Sequence, residues 1–147
     1  MPAEHRRGLL DTNILILRRW IVADSLPEEL AISAVTLAEL SAGVHLVRGE
    51  EAEARAERAR RTDVLQRAEN EFDPIAFDAG AARAFGRISA AVQDAGRTPR
   101  RRVADLMIAS VAAVQGLPLY TTNPDDFAGI GEMVEVVSVP RPDRGGR

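Results

Sequence analysis

The chain contains no cysteine. Disulfides, thiolate metal sites and Cys nucleophiles are excluded together. It contains no lysine either, because all 19 basic residues are arginine. A P-loop needs its lysine for the β- and γ-phosphates, so that route to phosphate chemistry is closed. Aromatics are scarce, with four Phe, one Trp and one Tyr, which argues against extensive base stacking of the single-strand-binding kind. No apolar run approaches the ~20 residues of a membrane span. The opening Met-Pro-Ala-Glu-His-Arg-Arg lacks the apolar segment of a signal peptide. A cytoplasmic protein away from membranes is therefore expected. The net charge of −3 gives no global basic character.

What is present is an ordinary globular composition. At 147 residues and 46% hydrophobic, the chain can bury one proper core. Residues 1–139 read as one domain. The tail 140–147, made of Pro, Arg, Asp and Gly, reads as disordered. Strand and helix patterns alternate along the domain. Strands are predicted at 8–10, 31–33, 72–77, 117–121 and 133–139, with Asp73-Pro74 pushing the third toward a sheet edge. Helices are predicted from Ile14, over 36–47, 50–70 and 78–95, and over 103–115. Gly96 and Gly116 act as stops. Glu51/Arg55, Glu57/Arg61 and Asp63/Arg67 lace the third helix at the i,i+4 spacing. This order predicts an α/β fold with a mainly parallel five-stranded sheet and helices on both faces.

Four acids stand out: Asp11, Glu39, Asp105 and Asp126. Asp11 closes Gly8-Leu9-Leu10-Asp11, Glu39 follows the second strand, Asp105 opens a helix, and Asp126 follows the fourth strand. In a parallel sheet, ligands bind beyond the carboxyl ends of the strands, where strand order reverses. All four acids could reach that crevice. Carboxylates gathered from such distant points suit a hard cation such as Mg²⁺ or Mn²⁺, which prefers oxygen ligands. Haloacid-dehalogenase-like phosphatases and receiver domains also place Asp after the first strand, but both use a lysine that this chain lacks. Each acid also has a purely structural reading. Thr36-Leu-Ala-Glu39 fits a capping box, Asp11 fits a helix cap, Asp105 complements a helix dipole, and Asn123-Pro124 fits a helix start ahead of Asp126.

Taken together, the motifs resemble those of the PIN-domain ribonucleases. They are Leu9-Leu10-Asp11-Thr12-Asn13, Ser33-x-x-Thr36-x-x-Glu39-Leu40-x-x-Gly43, Asp105-x-x-Ile108-Ala109 and Thr121-x-Asn123-x-x-Asp126-Phe127. More narrowly, they are similar to the VapC-type toxins of bacterial toxin–antitoxin pairs. The resemblance runs from Gly8 to Val139. It implies a three-layer α/β/α sandwich and hydrolysis of RNA with Mg²⁺ or Mn²⁺. It makes Asp11 and Asp105 the principal metal ligands, and Glu39 and Asp126 the acids completing the pocket. Asn123 stands where many relatives carry Asp, so the fourth position is open between 123 and 126. Thr12 and Thr121 match hydroxyls that orient a carboxylate or phosphate. The implied products carry a 5′-phosphate and a 3′-hydroxyl, and neither His5 nor His45 matches a catalytic position of the family.

An RNA enzyme of this net charge needs a local basic surface. Arg97, Arg100, Arg101 and Arg102, just before Asp105, would grip phosphates mostly without base specificity, and Arg18 and Arg19 could add to them. The family resemblance further implies a cognate antitoxin protein and a homodimer. The helices over 36–47 and 50–70 would wall the antitoxin groove, with Ala52, Ala56 and Ala59 as a small-residue face. The alternative is a catalytically weak PIN-fold module that binds RNA or protein.

Overall fold

A computed structural model describes residues 6–143, with the side chains of Arg100 and Arg101 also outside the described set. Four short strands form the sheet: β1 (Arg7–Leu10), β2 (Glu29–Ala31), β3 (Leu119–Thr121) and β4 (Val136–Ser138). Their order is β2-β1-β3-β4 and every pairing is parallel. Five helices surround it: α1 (Thr12–Leu17), α2 (Ala34–His45), α3 (Ala52–Glu71), α4 (Ala79–Asp94) and α5 (Val103–Gln115).

The period of two along each strand divides the apolar residues between two cores. Leu9, Ala31, Leu119 and Val136 face one side, where they meet α4 and α5 through Ile88, Val92, Leu106, Ile108 and Val111. Their neighbours Leu10, Ile32, Tyr120 and Val137 face the other side, against Ile14 of α1, Leu40 of α2 and Val64, Leu65 and Ala68 of α3. Helices on both faces complete a three-layer sandwich. Strands buried on both faces read as continuous apolar runs, which is why Gly8-Leu9-Leu10 and Leu117–Tyr120 were recognisable.

The predicted third strand, 72–77, does not form. Only one parallel bridge exists there, between Ser33 and Ile75. Ile75 donates its amide to Ile32 and accepts from Ala34. Beyond that point the partner chain turns into α2, while Pro74 has no amide hydrogen to extend the ladder on the other side. The sheet is thus four-stranded rather than five-stranded. The second strand, Glu29–Ala31, lies two residues before the predicted run at 31–33, and the last two strands are shorter than the predicted runs at 117–121 and 133–139. Of the expected tail, residues 140–143 carry no regular secondary structure and 144–147 lie outside the described residues.

Helix ends follow local chemistry. α5 stops at Gly116, whose φ of 66° is left-handed and favours glycine. Asp78 caps α4 by accepting the Ala81 amide. α2 differs from expectation, since its N-cap is Ser33, whose hydroxyl accepts the Thr36 amide at 3.2 Å. Thr36 is therefore inside the helix and Glu39 belongs to no capping box. Its side chain is free for other work. α3 keeps the Glu57–Arg61 and Asp63–Arg67 pairs, whereas Arg55 turns to the Glu50 carbonyl. Ser33→Ala should lower stability by about 1 kcal/mol, the usual value of an N-cap, while Glu39→Ala should lower it less. Urea unfolding would measure both, and a larger loss for the Glu39→Ala variant would restore the capping box.

Candidate active site

The chain runs from β1 to β2 on one side of the sheet and returns at β3 on the other side of β1, so strand order reverses between β1 and β3. In parallel sheets the ligand crevice lies beyond the carboxyl ends of the strands at such a reversal. Asp11 leaves β1 there, and its amide donates to the Tyr120 carbonyl of β3 at 2.9 Å. It also sits at the N-cap of α1. Its Oδ1 accepts the Thr12 amide and its Oδ2 accepts the Thr121 hydroxyl, both at 2.9 Å. The residue is only 3% exposed. Burial raises its pKa above the ordinary 3.8, the Thr121 and Thr12 bonds offset part of that rise, and repulsion from Glu39 and Asp126 adds to it.

Asp105 lies in the first turn of α5. Burial and then repulsion from Asp11, Asp126 and Glu39 push its pKa up to about 7, with Arg102 acting the other way. The four acids therefore share one electrostatic environment, although they come from four separate elements. Glu39 reaches it from the middle of α2, where its Oε1 accepts the Thr12 hydroxyl at 2.5 Å. Asp126, in the 3₁₀ turn Pro124–Phe127, forms an ion pair with Arg102 through Oδ1. Asn123 occupies the N-cap position without a side-chain cap bond. Its Oδ1 instead accepts from Arg141 at 3.4 Å, on the exposed side. Thr121, fully buried, does two jobs: it holds Asp11 and accepts the Asn123 amide at 2.9 Å.

Of the predicted basic patch, Arg102 turns into the acids and Arg97 is half-buried. The side chains of Arg100 and Arg101 lie outside the described residues. His45 is exposed, and His5 also lies outside the described residues. Sequence reasoning missed two features. Thr36 was read as a helix cap, yet its hydroxyl stands 3.0 Å from that of Thr12. Arg102 was read with its neighbours as an RNA contact, although a position one turn before Asp105 also suits a counter-ion.

The donor set is all oxygen, which fits a hard divalent cation. Among the described residues no three acidic or histidine side chains form a ready metal cage. Mg²⁺ needs none, since it keeps several waters and takes one or two carboxylates. A cation would also relieve the repulsion that raises Asp105.

The chain belongs to the PIN-domain family, whose model matches residues 9–133. Within that family it is 35% identical to Ribonuclease VapC5 of Mycobacterium tuberculosis over 137 residues, which span 90% of this chain and 95% of that one. The solved structure of VapBC-5, a member of the VapBC family of toxin–antitoxin systems from the same organism, matches with a TM-score of 0.76 at 32% identity, covering 91% of this chain and 99% of that chain. FitAcB from Neisseria gonorrhoeae matches with a TM-score of 0.65 at 25% identity, covering 88% and 96%.

Asp105 binds its proton more tightly in the folded state, with a pKa of about 7 against 3.8. Between those values the folded state holds more protons than the unfolded one, so its contribution to stability falls as pH rises through that window. In protein stripped of divalent ions, Asp105→Asn should therefore gain thermal stability over the wild type progressively as pH rises and then level off above about 7. Thermal unfolding in EDTA from pH 5 to 8.5 would show it. A difference that stays flat across that range would mean that burial and the neighbouring acids do not raise Asp105.

Proposed function

We propose that this protein is a divalent-metal-dependent endoribonuclease acting in the cytoplasm as the toxin of a toxin–antitoxin pair. The observation that carries the reading is the convergence of buried Asp11 and half-buried Glu39, Asp105 and Asp126 at the switch point of the sheet. The first two are held by hydroxyls and an amide rather than by basic side chains. A fold that needed these acids only as caps would not place them where each raises the cost of ionising the next. Similarity to a protein named a ribonuclease, over most of both chains, supports the same reaction class.

Asp11 and Asp105 would hold Mg²⁺ or Mn²⁺, with Glu39 and Asp126 completing the pocket. When bound, such an ion supplies a water of lowered pKa and neutralises charge that develops on the phosphodiester. The protein's own part is orientation. Thr121 and the Thr12 amide fix both oxygens of Asp11, and Thr12 fixes one oxygen of Glu39. Arg102 neutralises Asp126; a bound cation would take over that role and free Arg102 to meet a phosphate. Arg97, Arg100 and Arg101 would extend the basic edge along the RNA backbone. Asp126 is favoured over Asn123 as the fourth acid, because Asn123 turns toward Arg141 while Asp126 repels both Asp11 and Asp105.

With Mn²⁺, the protein should cut RNA in preference to DNA of the same sequence and leave 5′-phosphate ends. Asp11→Asn and Asp105→Asn should lose most Mn²⁺ binding by calorimetry and nearly all cleavage while remaining folded. Replacing Arg100, Arg101 and Arg102 together with Ala should lower the salt slope of RNA binding by about one for each arginine that engages a phosphate. Full activity in either Asn variant would sink the site assignment. RNA bound but left uncut by the wild type would favour a binding module instead.

A cognate antitoxin is the proposed partner, supported by the match to a VapBC toxin–antitoxin complex. α3 offers it a surface, since its buried residues are only Ala54 and Ala68, and Ala52, Ala56 and Ala59 are exposed. An open groove of about 530 Å³ beside Ala59 is lined by Arg55, Arg58, Thr62, Asp63 and Gln66. An acidic and apolar segment would suit it. Hydrogen exchange with and without the antitoxin should show protection on α2, α3 and the acidic pocket, and protection confined to other surfaces would refute this docking. Sedimentation of the protein alone should show a homodimer.

A further inference from the structure

Thr36 is fully buried and stands at the third position of α2, behind the acids rather than among them. Its hydroxyl oxygen is 3.0 Å from that of Thr12, with either atom able to donate on distance alone. The rest of the network fixes the direction. A carboxylate accepts and never donates, while a threonine hydroxyl has a single hydrogen. The hydroxyl of Thr12 is 2.5 Å from Glu39 Oε1, so its one hydrogen is spent there. Thr36 must then be the donor to Thr12. The usual helical alternative for Thr36 is the carbonyl four residues back. Among the described residues Thr36 makes no such bond to that carbonyl, Ile32, which receives the Ile75 amide at 2.9 Å.

The result is a one-way chain, Thr36 to Thr12 to Glu39. Thr12 is its hinge. The backbone amide of Thr12 holds Asp11 Oδ1 while its hydroxyl holds Glu39 Oε1, so one residue ties together two acids 28 positions apart in sequence. A threonine in a helix divides between two χ1 rotamers according to which acceptor its hydroxyl finds. An inbound donor from Thr36 and an outbound acceptor in Glu39 select one of them. Among the described residues Glu39 Oε2 receives no hydrogen bond, so the chain clamps one oxygen and leaves the other without a protein donor.

We propose that Thr36 is a positioning residue for Glu39, acting through the Thr12 hydroxyl without touching substrate. The proposal deepens the nuclease reading given above and rests on it for its catalytic consequence. Thr36→Val keeps the shape of the side chain and removes only the donor. Thr36→Ser keeps the donor. In protein free of divalent ions, three-bond couplings from the Thr12 methyl group report its χ1 directly. They should indicate a single rotamer in the wild type and in Thr36→Ser, and averaging in Thr36→Val. In RNA cleavage with Mn²⁺, Thr36→Val should lose kcat by about tenfold, the low end for losing a group that orients a metal-site residue. KM should stay within about twofold, because no substrate contact is removed. Thr36→Ser should recover kcat. If Thr36→Val fails to fold, Thr36→Ala carries the same test without the added methyl group. A single Thr12 rotamer in the folded Val or Ala variant would overturn the proposal, as would failure of Thr36→Ser to restore what the loss removed. If the wild type cuts no RNA, the nuclease reading falls, while the Thr12 couplings still decide the positioning claim.

Discussion

Burying Asp11 beside three other carboxylates is the constraint on which the site depends. Removing one charge from water is costly, and adding like charges makes it worse. The fold answers with fixed dipoles. Thr121 and the amide of Thr12 close on the two Asp11 oxygens, α1 begins at Asp11, and α5 carries Asp105 in its first turn. Helix N-termini favour negative charge. These contacts offset the cost without cancelling it, as the raised pKa values of Asp11 and Asp105 show. A stability cost concentrated at one crevice is what a site selected for chemistry displays.

The scaffold that bears this cost is rigid where it matters. β1 and β3 lie at the centre of the sheet, and Leu9, Leu10, Leu119 and Tyr120 are buried. Their paired ends set the separation of Asp11 and Thr121 through backbone hydrogen bonds, which vary little. α2 is anchored to both cores, through Val35 on one face and Leu40 on the other. Glu39 therefore projects from a helix that cannot roll. α3 is the exception, a 20-residue helix with an exposed, arginine-rich outer face. Its far end is fastened by the Arg18–Glu71 pair, at 2.5 and 2.8 Å, and by Arg18 stacked over Phe72.

The proposed action on RNA asks a protein of net charge −3 to offer local positive charge. Association depends on local potential more than on net charge. Arg102 lies at the rim of the acidic crevice, and Arg141, from the segment after β4, reaches Asn123 on the same edge. Both arginines contact residues of the 123–126 segment, where an incoming phosphate would meet them. The Arg102 guanidinium, paired with Asp126, offsets part of the repulsion that the acids exert on Asp105.

The layered α/β architecture was legible in the chain alone, because apolar runs, glycine stops and helix starts are local signals. Gly96 and Gly116 marked real ends, and Asp105 falls in the first turn of α5, as the periodicity required. The four acids were legible for the same reason, since each follows or opens a recognisable element. Tertiary structure alone decided the rest. The strand expected at 72–77 shrank to one bridge at Ile75, because a strand needs a partner and its partner turns into α2 at Ser33. The cap of α2 moved from Thr36 to Ser33, which changed the Thr36–Glu39 pair from a capping box into part of the site. Arg102 turned inward because Asp126, 24 residues away in sequence, stands opposite it in space. Hydrogen bonds and ion pairs between distant residues depend on distances that only the folded backbone sets, and no local pattern encodes them.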